Sequence, residues 1–134
     1  MIVDTGILYA LADGDDKNHR AAAAVFSLPD PKTVPEPVVV ESDWFILRHL
    51  GVDAEIAFLR GLGEGAFAVE APNAEDRRRA LELVQAYRDA QIGYVDATTI
   101  AIAERLRETR IATFDRRDFS LVRPRHIDAF DLVP

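Results

Sequence analysis

The chain contains no cysteine among its 134 residues. This absence excludes disulfide bonds, thiol catalysis and cysteine-ligated zinc sites together. No apolar run is long enough to cross a membrane, and the opening residues, MIVDTG, show neither a basic segment nor a cleavage site. We therefore expect a cytoplasmic protein without membrane contact. The three histidines have no metal-ligand spacing, and we expect none of them to be catalytic: His19, His49 and His126.

The chain also has few basic residues: it contains 16 basic and 23 acidic residues, and its net charge is −7. An acidic chain lacks the basic surface that is typical of a nucleic-acid-binding protein, which counts against a nuclease. The chain is 49% hydrophobic and 29% charged, as expected for a globular protein. Its length predicts one domain, residues 1–134, with a core of its own.

Short apolar runs alternate with amphipathic helical patterns along the whole chain. The runs predict strands at residues 2–3, 33–34, 66–69, 110–114 and 129–133. The patterns predict helices at residues 5–12, 16–27, 37–50, 52–62, 74–89 and 94–108. Asn73 is a natural N-cap for helix 74–89, whose buried face we assign to Leu81, Val84 and Tyr87. Alternating strands and helices predict a three-layer α/β/α sandwich around a mainly parallel sheet.

Four acidic residues, distant in sequence, fall at one edge of this predicted sheet. Asp4 and Asp115 each follow a strand, Glu41 lies early in a helix that follows a strand, and Asp96 begins a helix that leads into strand 110–114. In parallel α/β folds, ligands bind at the carboxyl ends of the strands. Four converging carboxylates repel one another, and a divalent cation such as Mg²⁺ or Mn²⁺ relieves that repulsion. The pattern predicts a metal site.

Each acid taken alone has a structural explanation. Asp4 can cap the first helix, and Asp96 can be an acid in a first helical turn. Glu41 can be a partly buried glutamate near Arg48. Asp115 can be a turn residue, as an aspartate after a strand usually is. Only the joint placement of the four at one edge favours a functional site.

Four segments together resemble the PIN-domain ribonucleases: IVDTGILYAL at the start, VVVES at 38–42, GYVDATTIAIAERL and IATFDRRDF. Within that family the chain is similar to the VapC-type toxins of VapBC toxin–antitoxin systems, over essentially its full length. The resemblance implies that the catalytic, metal-binding acids are Asp4, Glu41, Asp96 and Asp115. It implies supporting positions at Thr5 and Thr113, with Asp118 as a further, peripheral acid.

The resemblance also implies an activity. It is that of a metal-dependent endoribonuclease, in which Mg²⁺ or Mn²⁺ activates water to hydrolyse RNA and leaves a 5′-phosphate and a 3′-hydroxyl. Arg116 and Arg117 could then bind phosphates beside the cut, although solvated loop charges explain them equally well. Implied partners are an RNA substrate, a VapB-type antitoxin that blocks the site, and a second copy of the chain in a homodimer that joins a larger complex with the antitoxin.

Several alternatives differ in what they require of the sequence. An aspartyl-nucleophile phosphatase needs Asp-x-Asp after the first strand, whereas Thr5 and Gly6 follow Asp4. A receiver-like signalling domain with an acidic pocket needs a late lysine, and the only lysines are Lys17 and Lys32. A catalytically silent PIN fold that serves as a binding module remains open.

Two further groups of residues carry structural expectations. Trp44 and Phe45, which share a helical face with Glu41, are expected in a core or an interface. The run Arg77-Arg78-Arg79 is expected on a solvated helix face, with a role in binding RNA or a partner as the alternative.

Overall fold

The computed structural model describes residues 1–134 and contains one sheet of five parallel strands in the order β3-β2-β1-β4-β5. The strands are β1 (Ile2–Val3), β2 (Thr33–Pro35), β3 (Ala68–Glu70), β4 (Arg110–Ala112) and β5 (Asp131–Val133). The helices are α1 (Thr5–Ala12), α2 (His19–Ser27), α3 (Glu36–Leu50), α4 (Val52–Gly63), α5 (Ala74–Ala86), α6 (Tyr94–Leu106) and α7 (Arg116–Leu121). A short 3₁₀ turn, Arg88–Ala90, follows α5. The predicted α/β fold is confirmed.

Two hydrophobic cores lie on opposite faces of the sheet. Successive side chains of a strand point to opposite faces, and Ile2 and Val3 accordingly belong to different cores. Ile2 packs with Leu83 of α5 and Ile100 of α6. Val3 packs with residues of α1, α2 and α3. The central strands β1, β2 and β4 are therefore mostly buried, as is usual for a parallel sheet, whereas the edge strands β3 and β5 are partly exposed.

The buried face of α5 differs from the prediction. Leu81 is 57% exposed and Val84 is also exposed, whereas Ala80 and Leu83 are buried. The helix carries two apolar rows, Ala80 with Leu83 and Leu81 with Val84, which are offset by one residue. The first row packs in the core with α6, where the small side chain of Ala80 fits. The predicted cap is confirmed, because the Asn73 side chain accepts hydrogen bonds from the backbone of Glu75 and Asp76.

Some boundaries also differ from the prediction. Helix α2 begins at His19 because the Asp16 carboxylate accepts a hydrogen bond from Asn18 N at 2.6 Å and holds a turn there. Strand β4 ends at Ala112, and the unpredicted helix α7 begins at Arg116. No helix of the structure is both long enough and apolar enough to span a membrane.

Candidate active site

The structure brings the four acids together in one cavity of about 580 Å³. The cavity lies where β1 and β4 end, since Asp4 follows β1 and Asp115 follows β4 with two residues between. No lysine or arginine lines it. Besides Asp4, Glu41, Asp96 and Asp115, its walls are formed by Thr5, Gly6, Tyr9, Phe45 and His49. We call this the acid cavity.

Asp4 is the most buried acid of the cavity, with 6% of its surface exposed. It occupies the N-cap position of α1, but its side chain makes no capping hydrogen bond, so helix capping does not explain it. Instead, Asp4 Oδ2 accepts a hydrogen bond from Thr113 Oγ1 at 2.7 Å. Burial raises the pKa of Asp4 above its ordinary value, and the Thr113 hydrogen bond opposes that rise.

Glu41 is held by a threonine in the same way. Its Oε2 accepts a hydrogen bond from Thr5 Oγ1 at 2.6 Å. It forms no ion pair with Arg48, so the alternative explanation of a glutamate paired with that arginine does not apply. Thr5 and Thr113 therefore each fix one oxygen of an acid and leave its second oxygen for another partner.

Asp96 lies in the first turn of α6, where the helix dipole favours a negative charge. Burial and the neighbouring acids have a larger effect on Asp96 than the helix dipole. Burial, followed by repulsion from Asp4, Asp118, Glu41 and Asp115, raises the pKa of Asp96 to about 7. An ionised Asp96 at neutral pH thus lacks a compensating cation in its surroundings.

Asp115 and Asp118 stand at the start of α7. Asp115 Oδ1 accepts a hydrogen bond from Arg117 N at 3.1 Å, so Asp115 caps α7 and lines the acid cavity as well. Asp118 does not line the cavity. Its buried Oδ1 has no hydrogen-bond partner, and its nearest cation is Arg117 Nε at 3.4 Å. The negative charge of Asp118 contributes to the raised pKa of Asp96.

The two arginines after Asp115 contact the backbone of this chain. Arg116 Nη2 donates to the carbonyls of Leu132, at 3.2 Å, and Pro134. Arg117 Nη2 donates to the carbonyl of Ala90. Neither guanidinium lines the acid cavity.

Sequence reasoning missed the aromatic wall of the cavity. Phe45 and His49 follow Glu41 by four and eight residues on α3, and Tyr9 follows Thr5 by four on α1, so helical spacing was a signal that could have identified them. The ring of Phe45 stacks on His49 with centroids 5.8 Å apart. The adjacent Trp44 is 57% exposed and is not a core residue.

The four acids have the right chemistry to bind a divalent cation, but their present arrangement does not form a metal site. Carboxylate oxygens are the ligands that Mg²⁺ and Mn²⁺ prefer. The raised pKa values of Asp4 and Asp96 show that their ionised forms are unfavourable here, and a bound cation would stabilise those forms. No group of three His, Asp or Glu side chains stands close enough to hold an ion without moving. Metal binding at these residues would require their side chains to move closer together.

Comparison with known proteins agrees with this architecture. The PIN domain family matches residues 1–123. Ribonuclease VapC26 of Mycobacterium tuberculosis is 37% identical over 135 residues, which cover all of both chains. The chain belongs to the PIN-domain family, and its full-length similarity to a VapC ribonuclease confirms the resemblance to VapC-type toxins.

Two solved structures share the fold. One is that of VapC20 from Mycobacterium tuberculosis, described as a sarcin-ricin loop cleaving toxin. It has a TM-score of 0.80 and 23% identity over 87% of this chain and 91% of that one. The other is a toxin–antitoxin complex from Klebsiella pneumoniae, with a TM-score of 0.68 and 21% identity over 90% of this chain and 91% of that one.

Proposed function

We propose that the protein is a metal-dependent endoribonuclease and the toxin of a type II toxin–antitoxin pair. The observation that carries the proposal is a cavity with four carboxylates and no lysine or arginine in its walls. A cluster of this kind is costly unless a cation enters it. Membership of the PIN-domain family and the full-length similarity to a VapC ribonuclease support the same activity.

The acids would hold one or two Mg²⁺ or Mn²⁺ ions. Asp4 and Asp96 would be the most direct ligands, with Asp115 and Glu41 completing the site directly or through water. The bound ion would supply positive charge that activates water and stabilises the phosphate during attack.

The chain's own residues would then orient the reactants. Thr113 holds Asp4 Oδ2, and Thr5 holds Glu41 Oε2, so the other oxygen of each acid would be left to bind the ion. Glu41 or Asp115 would orient the attacking water. The water would lose a proton and its oxygen would form a bond to phosphorus, while the bond from phosphorus to the 3′ oxygen would break and that oxygen would take up a proton. The products would carry a 5′-phosphate and a 3′-hydroxyl.

The partners follow from the same proposal. They are an RNA substrate in the cytoplasm, a VapB-type antitoxin that covers the acid cavity, and a second copy of the chain in a homodimer. The complex from Klebsiella pneumoniae, which shares the fold, supports an antitoxin as a partner.

Cleavage of total cellular RNA tests the proposal. Purified, antitoxin-free protein would be incubated with Mg²⁺, Mn²⁺ or EDTA, beside a folded Asp96→Asn variant, and cut sites would be mapped by end sequencing. We expect discrete cuts that need a metal and disappear in the variant. No cleavage by folded protein under any metal would contradict the proposal and favour a binding module.

Growth of a bacterial host gives an independent test of the toxin role. Expression of the wild-type chain without an antitoxin should slow growth, and expression of the Asp4→Ala variant should not. Equal growth inhibition by both, at equal protein levels, would mean that the acid cavity is not the source of toxicity.

A further inference from the structure

The short helix α7, which begins just after Asp115, packs weakly against the rest of the protein. It has six residues, and Phe119 is the only buried one among them. A helix of this length is not stable by itself, and a single buried side chain fixes its orientation only loosely. Hydrogen bonds to other elements must therefore help to decide where Asp115 stands in the acid cavity.

The end of strand β5 provides the first of these attachments. Arg116 Nη2 donates to the carbonyls of Leu132, at 3.2 Å, and Pro134. The carbonyl between them, that of Val133, accepts a hydrogen bond from Thr113 N at 2.8 Å. Three consecutive carbonyls thus bind the chain on both sides of the cavity acid that lies between Thr113 and Arg116. The start of α7 is tied to the sheet through β5.

The second attachment runs through Arg117 to the helix that carries Asp96. Arg117 N donates to Asp115 Oδ1 at 3.1 Å, and its Nη2 donates to the carbonyl of Ala90. Ala90 ends the 3₁₀ turn that precedes α6, and Gly93 is the N-cap of that helix. One residue therefore bonds the carboxylate of one cavity acid and the turn that leads to another.

We propose that Arg116 and Arg117 are positioning residues, which set the place of Asp115 relative to Asp96 and so the affinity of the acid cavity for a divalent cation. The proposal rests on the proposed nuclease function, in which both acids are metal ligands. Groups that orient metal ligands commonly change metal affinity although they do not touch the ion. The planar guanidinium suits this role, since its fixed fork of donors holds carbonyl groups in a defined geometry.

The other role open to two arginines beside the cavity is to bind phosphates of RNA. The contacts favour positioning, because both guanidinium groups donate to carbonyls of this chain and neither lines the acid cavity. The two roles also differ in what they affect. A positioning residue alters the binding of metal without RNA, whereas a phosphate-binding residue alters the binding of RNA and its dependence on salt.

Calorimetric titration of the RNA-free protein with Mn²⁺, above pH 7, tests the positioning role. Arg117→Ala should lower the Mn²⁺ affinity about tenfold, because the link to the turn before α6 is lost. Arg116→Ala should lower it about threefold, since the bond from Thr113 N to Val133 still ties the segment to β5. Circular dichroism would confirm that each variant is folded.

Arg123→Ala is the matched control. Arg123 lies two residues after α7 and is exposed, but only its backbone N forms a hydrogen bond, and its side chain forms no ion pair. The control removes the same charge from the same region of the surface. Its Mn²⁺ affinity should stay within about twofold of wild type.

A double variant separates positioning from a general effect on the fold. If Arg117 acts through Asp115, then Arg117→Ala should change the Mn²⁺ affinity of an Asp115→Asn protein by less than about twofold, because the effects of coupled residues do not add. At saturating Mn²⁺, KM for RNA cleavage and its dependence on salt should be the same in Arg116→Ala, Arg117→Ala and wild type.

The outcomes separate the positioning role from the nuclease itself. Wild-type Mn²⁺ affinity in both arginine variants, with RNA cleavage intact, overturns the positioning role and leaves the nuclease standing. A raised KM that depends less on salt, at unchanged Mn²⁺ affinity, assigns the arginines to RNA phosphates and also overturns it. So does an equal loss of affinity in Arg123→Ala, or in Arg117→Ala with and without Asp115. Mn²⁺ binding without RNA cleavage contradicts the nuclease, while the titrations still decide the positioning role. A wild-type protein that neither binds Mn²⁺ nor cleaves RNA overturns both.

Discussion

Two regions of the protein concentrate acidic side chains, and helix α6 contributes to both. Its first turn places Asp96 beside the acid cavity, and its last turn places Glu104 and Arg105 in a network of ion pairs. We call this network the ion-pair cluster, and its members are Glu70, Asp76, Arg79, Glu82, Glu104, Arg105 and Arg125.

Burial alone does not distinguish the regions, because Asp4 is 6% exposed and the Glu104 side chain is 8% exposed. Glu104 receives two hydrogen bonds from the Arg79 guanidinium, at 2.7 and 2.9 Å, and this contact raises the pKa of Arg79. Asp4 has only a neutral hydroxyl as a side-chain partner, and its own pKa is raised. The charge of Glu104 is thus neutralised within the chain, whereas Asp4 lacks a cation, as the proposed metal site requires.

Asp4→Asn should have the largest effect on activity. Loss of a group that only orients a metal ligand typically costs 10- to 100-fold in activity, so loss of Asp4, a proposed direct ligand, should lower RNA cleavage by more than about 100-fold. The metal-free variant should nevertheless melt at a higher temperature than wild type, because a buried charge is gone. Cleavage assays and thermal unfolding in EDTA measure both effects. A variant that loses activity and stability together would make Asp4 a structural residue.

Glu104→Gln should behave in the opposite way. It removes one partner of a largely buried pair, so the free energy of unfolding should fall by about 2 kcal/mol. Cleavage per folded molecule should stay within about twofold. Glu75→Gln is the matched control, because the Glu75–Arg78 pair is exposed, with 3.8 Å between the charged groups, and should contribute less than about 1 kcal/mol. Urea denaturation of both variants measures the two losses of unfolding free energy. Equal losses would contradict the larger stabilising role of Glu104.

The stability of the metal-free protein should depend on pH through Asp96. Its pKa is about 7 in the folded protein and 3.8 for an ordinary aspartate, so between these pH values the folded state binds the extra proton. The free energy of unfolding therefore falls as pH rises from about 4 to about 7, and the penalty is complete above pH 7. Asp96→Asn should flatten this dependence, and Mg²⁺ should raise the melting temperature of wild type alone above pH 7. A wild-type curve that is already flat would contradict the assignment.

The sequence allowed the acids to be placed because a parallel sheet has a single carboxyl edge, and Asp4 and Asp115 are counted from strand ends. It did not allow Arg79 to be placed, although Arg77 and Arg78 are exposed as expected. Arg79 was expected on a solvated face, but its side chain is 16% exposed and pairs with Glu104, 25 residues further along the chain. Such a contact depends on how α5 packs against α6, which local periodicity does not encode.

The end of β4 shows the same limit at a smaller scale. The run Ile-Ala-Thr-Phe predicts a strand to Phe114, but Thr113 Oγ1 accepts a hydrogen bond from Asp115 N at 2.9 Å and turns the chain into α7. A threonine in an apolar run looks like an ordinary strand residue. Its hydroxyl also donates a hydrogen bond to Asp4, 109 residues earlier in the chain, and the local sequence does not encode that contact.

Thr113→Val should therefore give the smallest of these effects and the most specific one. The variant keeps the shape of the side chain but loses the donor to Asp4 Oδ2 and the acceptor for Asp115 N. We expect Mn²⁺ affinity, measured by calorimetric titration above pH 7, to fall about tenfold, and the free energy of unfolding to fall by about 1 kcal/mol.

Thr98→Val is the control, because Thr98 is fully buried in α6 and its hydroxyl has no partner. That variant should keep its metal affinity and lose no stability. A loss of metal affinity in both variants would show that the site responds to packing in general, and a loss in Thr113→Val alone would show that one hydroxyl orients Asp4 for its ligand.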